Sequence, residues 1–156
     1  MPLNGTLEAS CIYISLNSRA QEGSYHWGLI ITDPEMRVVL HHASNRLGPW
    51  VYEEKSVDPE QSMTLVVLFL VSKIKSHSRT LGVIKGMPAD GCPSKRTKEA
   101  FSCVTWAKDI LVLLHECGEI VLSGTIDELE DKAVKEGLEH AGTAESGAGA
   151  TVVGHR

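Results

Sequence analysis

A histidine, His26, lies in the run Ser24-Tyr25-His26-Trp27-Gly28-Leu29-Ile30-Ile31, and a cysteine, Cys103, opens the run Ser102-Cys103-Val104-Thr105-Trp106-Ala107. The first run is rich in β-branched and aromatic residues and reads as a strand; the second has helical periodicity. An imidazole on a strand facing a thiol at a helix start is an arrangement by which a thiol enzyme activates its nucleophile. The helix N-terminus presents unpaired N–H groups and a positive partial charge, which favour a thiolate over a thiol.

A histidine base also needs a third polar group to fix its tautomer and orientation. The run Arg37 to Ala43 returns after the turn Asp33-Pro34-Glu35, so residues 25 to 43 read as a hairpin that carries His41 and His42 on its second strand. Only one of two adjacent residues can share the face of His26. A turn centred on Pro34 and Glu35 puts Thr32 opposite Arg37, Gly28 opposite His41 and His26 opposite Ala43, which selects His41. A three-residue loop would select His42, but it wants a left-handed residue where Met36 stands. The expectation is therefore His41.

These residues need a scaffold. Ser10 to Leu16, Tyr25 to Thr32, Arg37 to Ala43, Trp50 to Glu54 and Met63 to Ile74 read as strands, with turns at Asp33-Pro34 and at Asn45 to Pro49. The second half changes period. Arg79 to Lys85 reads as a short helix, about Thr97 to Cys117 as a longer one, and Thr125 to His140 as a third opened by a capping box from Thr125 to Glu128. Cys103, Ala107, Ile110, Leu114 and Cys117 share one stripe of the second helix, so Cys103 points inward. The fold class expected is α+β, a twisted antiparallel sheet packed against C-terminal helices. One domain, residues 10–141, is expected between a flexible N-terminus, 1–9, and a disordered tail, 142–156, whose small residues offer little to offset the entropy of ordering.

Composition narrows the class. A net charge of −5, with basic residues scattered apart from Lys95-Arg96-Thr97-Lys98, gives no surface for a phosphate backbone, so nucleic acid is not an expected partner. The longest apolar run, Leu65 to Val71, falls far short of the roughly 20 residues that span a bilayer, so no stable membrane insertion is expected. The start of the chain has neither the basic residues nor the apolar stretch of a secretory signal, and a cytoplasmic location is expected. Cys11, Cys92, Cys103 and Cys117 lack Cys-x-x-Cys spacing, which fits free thiols in a reducing compartment rather than a zinc ribbon. A zinc site of His26, His41 and Cys103 ranks below a thiol mechanism, and no metal or cofactor is expected. Tyr25, Trp27 and Trp50 are candidates to line an apolar substrate cleft. Glu53 and Glu54, adjacent on a strand, face opposite sides and read as a solvated edge.

Taken together, Tyr25-His26-Trp27-Gly28-Leu29, then Val38-Val39-Leu40-His41-His42-Ala43, then Ser102-Cys103-Val104-Thr105-Trp106 resemble the circularly permuted NlpC-like and papain-like thiol fold, especially the lecithin:retinol acyltransferase-like group. The PPPDE isopeptidases share the His-before-Cys order. The spread of these motifs, with Gly48-Pro49-Trp50-Val51-Tyr52-Glu53, is also similar to small fungal proteins, some encoded near biosynthetic genes. The resemblance implies Cys103 as nucleophile, His26 as base and acid, and His41 as third residue. It departs from the acyltransferase-like group at the nucleophile, where Ser102 precedes and Val104-Thr105 follow. The function expected is thiol-dependent acyl transfer on a small molecule or peptide. Two alternatives are a non-covalent histidine acid/base cyclase or isomerase and a catalytically inactive binding module.

Overall fold

Strand β1 (Cys11–Ser18) is apolar on both faces, which destines it for the middle of a sheet. Ile12, Ile14 and Leu16 point to one side, Cys11 and Tyr13 to the other, and all five are fully buried. The computed structural model describes residues 3–19 and 24–154. In it β1 pairs antiparallel with β2 (Tyr25–Thr32) and with β5 (Leu65–Lys73). Strands β3 (Val38–Ser44) and β4 (Val51–Ser56) extend the antiparallel run past β2. At the opposite edge β6 (Thr151–Gly154) joins β5 in parallel. The six-stranded order is β4-β3-β2-β1-β5-β6.

The fold is α+β, as expected, but β6 makes the sheet mixed rather than wholly antiparallel. Helices α1 (His77–Gly86), α2 (Cys103–Glu116) and α3 (Ile126–Thr143) follow in chain order. The capping box that opens α3, Thr125 with Glu128, is present. The main core lies between sheet and helices, where Ile14, Trp27, Leu29 and Phe69 meet Trp106, Ile110, Leu111 and Leu114. Among the described residues no helix is long and apolar enough to cross a membrane.

The ends of the chain are not the loose segments expected. The sheet face away from the helices carries a second cluster, including Cys11, Tyr13, Ile30, Leu68 and Leu70, and Leu3, Leu7 and Val152 pack against it. Asn4 N–H donates to Ala150 O at 2.8 Å and Val152 N–H to Asn4 O at 2.9 Å. The apolar back of the sheet supplies the burial that offsets the cost of ordering both segments. The residues of those two expectations at 1–2 and 155–156 lie outside the described residues.

Helix α2 begins later than about Thr97. Ser102 is its N-cap, extended in backbone, and its hydroxyl accepts from Thr105 N–H at 3.1 Å. Upstream, Lys98 has φ 67, and the Ser94 hydroxyl takes the N–H groups of Arg96 and Thr97, which holds that segment as a turn. Cys103 is thus the first residue of α2.

Candidate active site

The site forms where two strands part. β2 and β3 pair only from Thr32 and Val38 to Leu29 and His41. Beyond that point β2 stays on β1 as far as Tyr25, and β3 stays on β4 as far as Ser44, so a wedge opens between them. The start of α2 lies against the wedge. Trp27 N–H, freed from strand pairing on its open side, lies 3.5 Å from Cys103 Sγ and donates to it. Arg19, just past β1, donates from Nη2 to the same sulfur at 3.4 Å, and that nitrogen is 3.3 Å from His26 Nδ1. A single guanidinium nitrogen therefore touches both the thiol and the imidazole.

Behind His26, on the sheet face away from the helices, a relay runs over three strands. His26 Nε2 is 2.7 Å from His42 Nδ1, with the rings edge-on. His42 Nε2 is 3.1 Å from Glu53 Oε1, a charge contact short of linear hydrogen-bond alignment, and Arg46 Nη2 holds Glu53 Oε2 at 3.5 Å. Both ends of the relay set the proton positions. Arg19 is a donor only, so His26 Nδ1 bears the lone pair and Nε2 the hydrogen. His42 Nδ1 then accepts, which leaves its Nε2–H beside the Glu53 carboxylate. Burial, then His42 and Arg19, lowers the His26 pKa to about 4. Burial also lowers that of His42, against the pull of Glu53. Both rings are neutral near pH 7, and the lone pair of His26 at Nδ1 accepts from Arg19, the residue that also touches Cys103.

His41 does not occupy the third position. The β2–β3 connection is the longer form: Asp33 N–H bonds Arg37 O, Met36 N–H bonds Asp33 O, and Met36 adopts φ 64. The Asp33 carboxylate stabilises this loop by accepting the N–H groups of Glu35 at 2.9 Å and Arg37 at 2.8 Å. One added loop residue moves the register, sets His41 opposite Leu29 and turns His42 toward His26. His41 is fully buried on the helix face, where Nδ1 lies 2.7 Å from the Tyr52 hydroxyl. Tyr52 donates in turn to Glu54 Oε2 at 3.2 Å, and Lys85 from α1 pairs with Glu54 at 3.6 Å. Burial lowers the His41 pKa to about 4 and, with Glu54, raises that of Tyr52. Glu53 and Glu54 do face opposite sides of the edge strand β4, Glu54 being exposed there, and each also serves a histidine network.

Tyr25, Trp27 and Trp50 line the wedge with Arg19, Asn45 and Cys103, around a cleft of about 360 Å³. A larger hollow of about 550 Å³ runs along the other side of α2 past Phe101 and Trp106. Trp50 and Phe101 meet edge-on, ring centres 4.9 Å apart, one lining each space. The zinc alternative fails on placement, because His41 lies on the opposite sheet face from His26. Among the described residues, metal-ligand atoms converge only at Glu136, Glu139 and His140, on α3. Sequence reasoning missed Arg19 and Glu53 as site residues and held His42 as the alternative to His41. The signal for His42 and Glu53 was the cross-strand pattern, legible once the loop length is known; Arg19 carried none.

The chain matches, over residues 10–136, a family described as of unknown function, DUF6914. No curated protein and no solved structure matches it. The chain belongs to DUF6914.

Proposed function

We propose that this member of DUF6914 is a thiol-dependent acyl-transfer enzyme of the permuted NlpC-like and papain-like kind, acting on a small molecule or peptide. The observation that carries this reading is the placement of Cys103 Sγ and His26 Nδ1 on one guanidinium nitrogen, with the far side of His26 held by His42. Cys103 is the nucleophile and His26 the base. The thiol proton passes to Nδ1, and Sγ forms a bond to the substrate carbonyl carbon. The amine, alcohol or thiol then leaves as its bond to that carbon breaks, taking the proton from His26. Water or an amine attacks the thioester, His26 accepts its proton, and the acyl group departs as the Cys103 thiol is restored. The N–H of Cys103, in the open first turn of α2, is positioned to receive the oxyanion. His42 and Glu53 are positioning residues that hold the tautomer of His26.

The test is intact-mass detection of an acyl adduct with panels of activated esters, thioesters and amides, together with steady-state turnover. Cys103→Ser is expected to abolish the adduct, and His26→Ala to slow turnover by about 100-fold or more. Turnover that survives Cys103→Ser but not His26→Ala would replace the covalent step with non-covalent proton transfer. A chain that acylates nowhere and turns over nothing is a binding module.

A further inference from the structure

Among the described residues, the cleft contains a cation that no carboxylate holds. Two charged side chains line it, Arg19 and Glu130. Glu130 Oε1 is held by Lys108 Nζ at 2.6 Å, and Lys108 also holds Asp127 at 2.8 Å. Arg19 has no carboxylate partner among the described residues; its Nη2 rests on a ring nitrogen and a sulfur. A guanidinium bonds best to a planar anion that takes two N–H groups side by side. Its resting position also blocks chemistry, because it occupies the lone pair that must accept the thiol proton. One event answers both conditions, namely arrival of a carboxylate.

We propose that Arg19 selects substrates bearing a carboxylate close to the reacting carbonyl, and that this carboxylate draws the guanidinium off His26 Nδ1 and frees the base. The inference deepens the acyl-transfer reading and rests on it, since it requires Cys103 to be the reactive thiol. Arg19 is solvent-exposed, so replacing it leaves the core untouched, which circular dichroism verifies.

The test compares alkylation of Cys103 by iodoacetate and iodoacetamide, each forming an S–C bond as iodide leaves. Peptide mass mapping reads each site, and exposed Cys92 is the internal reference. At low salt the iodoacetate-to-iodoacetamide rate ratio at Cys103 is expected to exceed that at Cys92 by about fivefold or more, the worth of one contact between opposite charges in water. Arg19→Gln brings the ratio down to that of Cys92, and Arg19→Lys retains most of it. Succinate, as a bare dicarboxylate probe, is expected to move the His26 ring resonances in the wild type and not in Arg19→Gln. Equal ratios in wild type and Arg19→Gln, or a succinate response indifferent to Arg19, overturn this inference while leaving Cys103 as nucleophile. A Cys103 that neither reagent labels while Cys92 reacts overturns both readings.

Discussion

Two histidines side by side in the chain divide their work because the pleat sends them to opposite faces of the sheet. His42 meets His26 and Glu53, whereas His41 meets Tyr52 in the core. One pair of substitutions separates the roles. His42→Phe removes the acceptor that holds His26 Nε2–H, so His26 loses its fixed tautomer, and acyl-transfer turnover is expected to fall about 100-fold with little change in stability. His41→Phe keeps a ring in the core but deprives the Tyr52 hydroxyl of a partner; it is expected to lower the urea midpoint while turnover of the folded protein stays within about threefold. Both variants are to be measured for initial rate and for urea midpoint. The opposite assignment, with His41→Phe inactive and His42→Phe unstable, would remove His42 from the relay.

The choice between the two histidines is made at the hairpin loop. Met36 in the left-handed region costs about 1 to 2 kcal/mol. The Asp33 carboxylate offsets this by bonding two N–H groups, and hydrogen bonds to charged groups contribute about 1.5 to 3 kcal/mol each. Asp33→Ala is therefore expected to destabilise the fold by about 2 kcal/mol, and Met36→Gly to stabilise it by about 1 kcal/mol, both read from chemical denaturation. A destabilising Met36→Gly would show that the loop does not carry that strain. The same loop shows why the site was only partly legible. Strand character around His26, the inward stripe from Cys103 to Leu114 and the aromatic walls at Tyr25, Trp27 and Trp50 follow from local pattern, and the structure has them; Cys117, expected at the end of that stripe, is instead exposed at the helix C-cap. Register does not, because it turns on whether one carboxylate can hold one non-glycine residue left-handed. Glu53 pairs with His42 through the β3–β4 register, so it enters the site only because the hairpin loop brings in His42. Arg19 joins the site only through its own side-chain contact with Cys103, 84 residues away, which no short-range pattern encodes.

Across the described residues, the helices cover one face of the sheet and residues of both chain ends pack on part of the other, with His41 buried on the helix side and His42 buried on the back. Low content of bulky residues in 142–156 suggested a tail, yet Val152 needs only an apolar surface already present on the back of the sheet. Covered faces remove water from imidazoles, and His26, His41 and His42 all have lowered pKa values for which burial is the first cause. The sign of the consequence follows from linkage. In the unfolded chain these rings protonate near pH 6.5, whereas His26 and His41 in the folded chain stay neutral down to about pH 4. Between those values the unfolded state binds more protons, so stability is complete above about pH 6.5, falls as the pH drops, and stops falling on this account below about pH 4. For His41, fully buried, the loss across the window is on the order of 3 kcal/mol. Urea unfolding at a series of pH values from 7.5 to 4.5 reads it directly. The midpoint is expected to decline through this range, and more gently in His41→Phe, which has no proton to gain there. A pH slope unaltered by His41→Phe would mean that His41 does not sit neutral in the core.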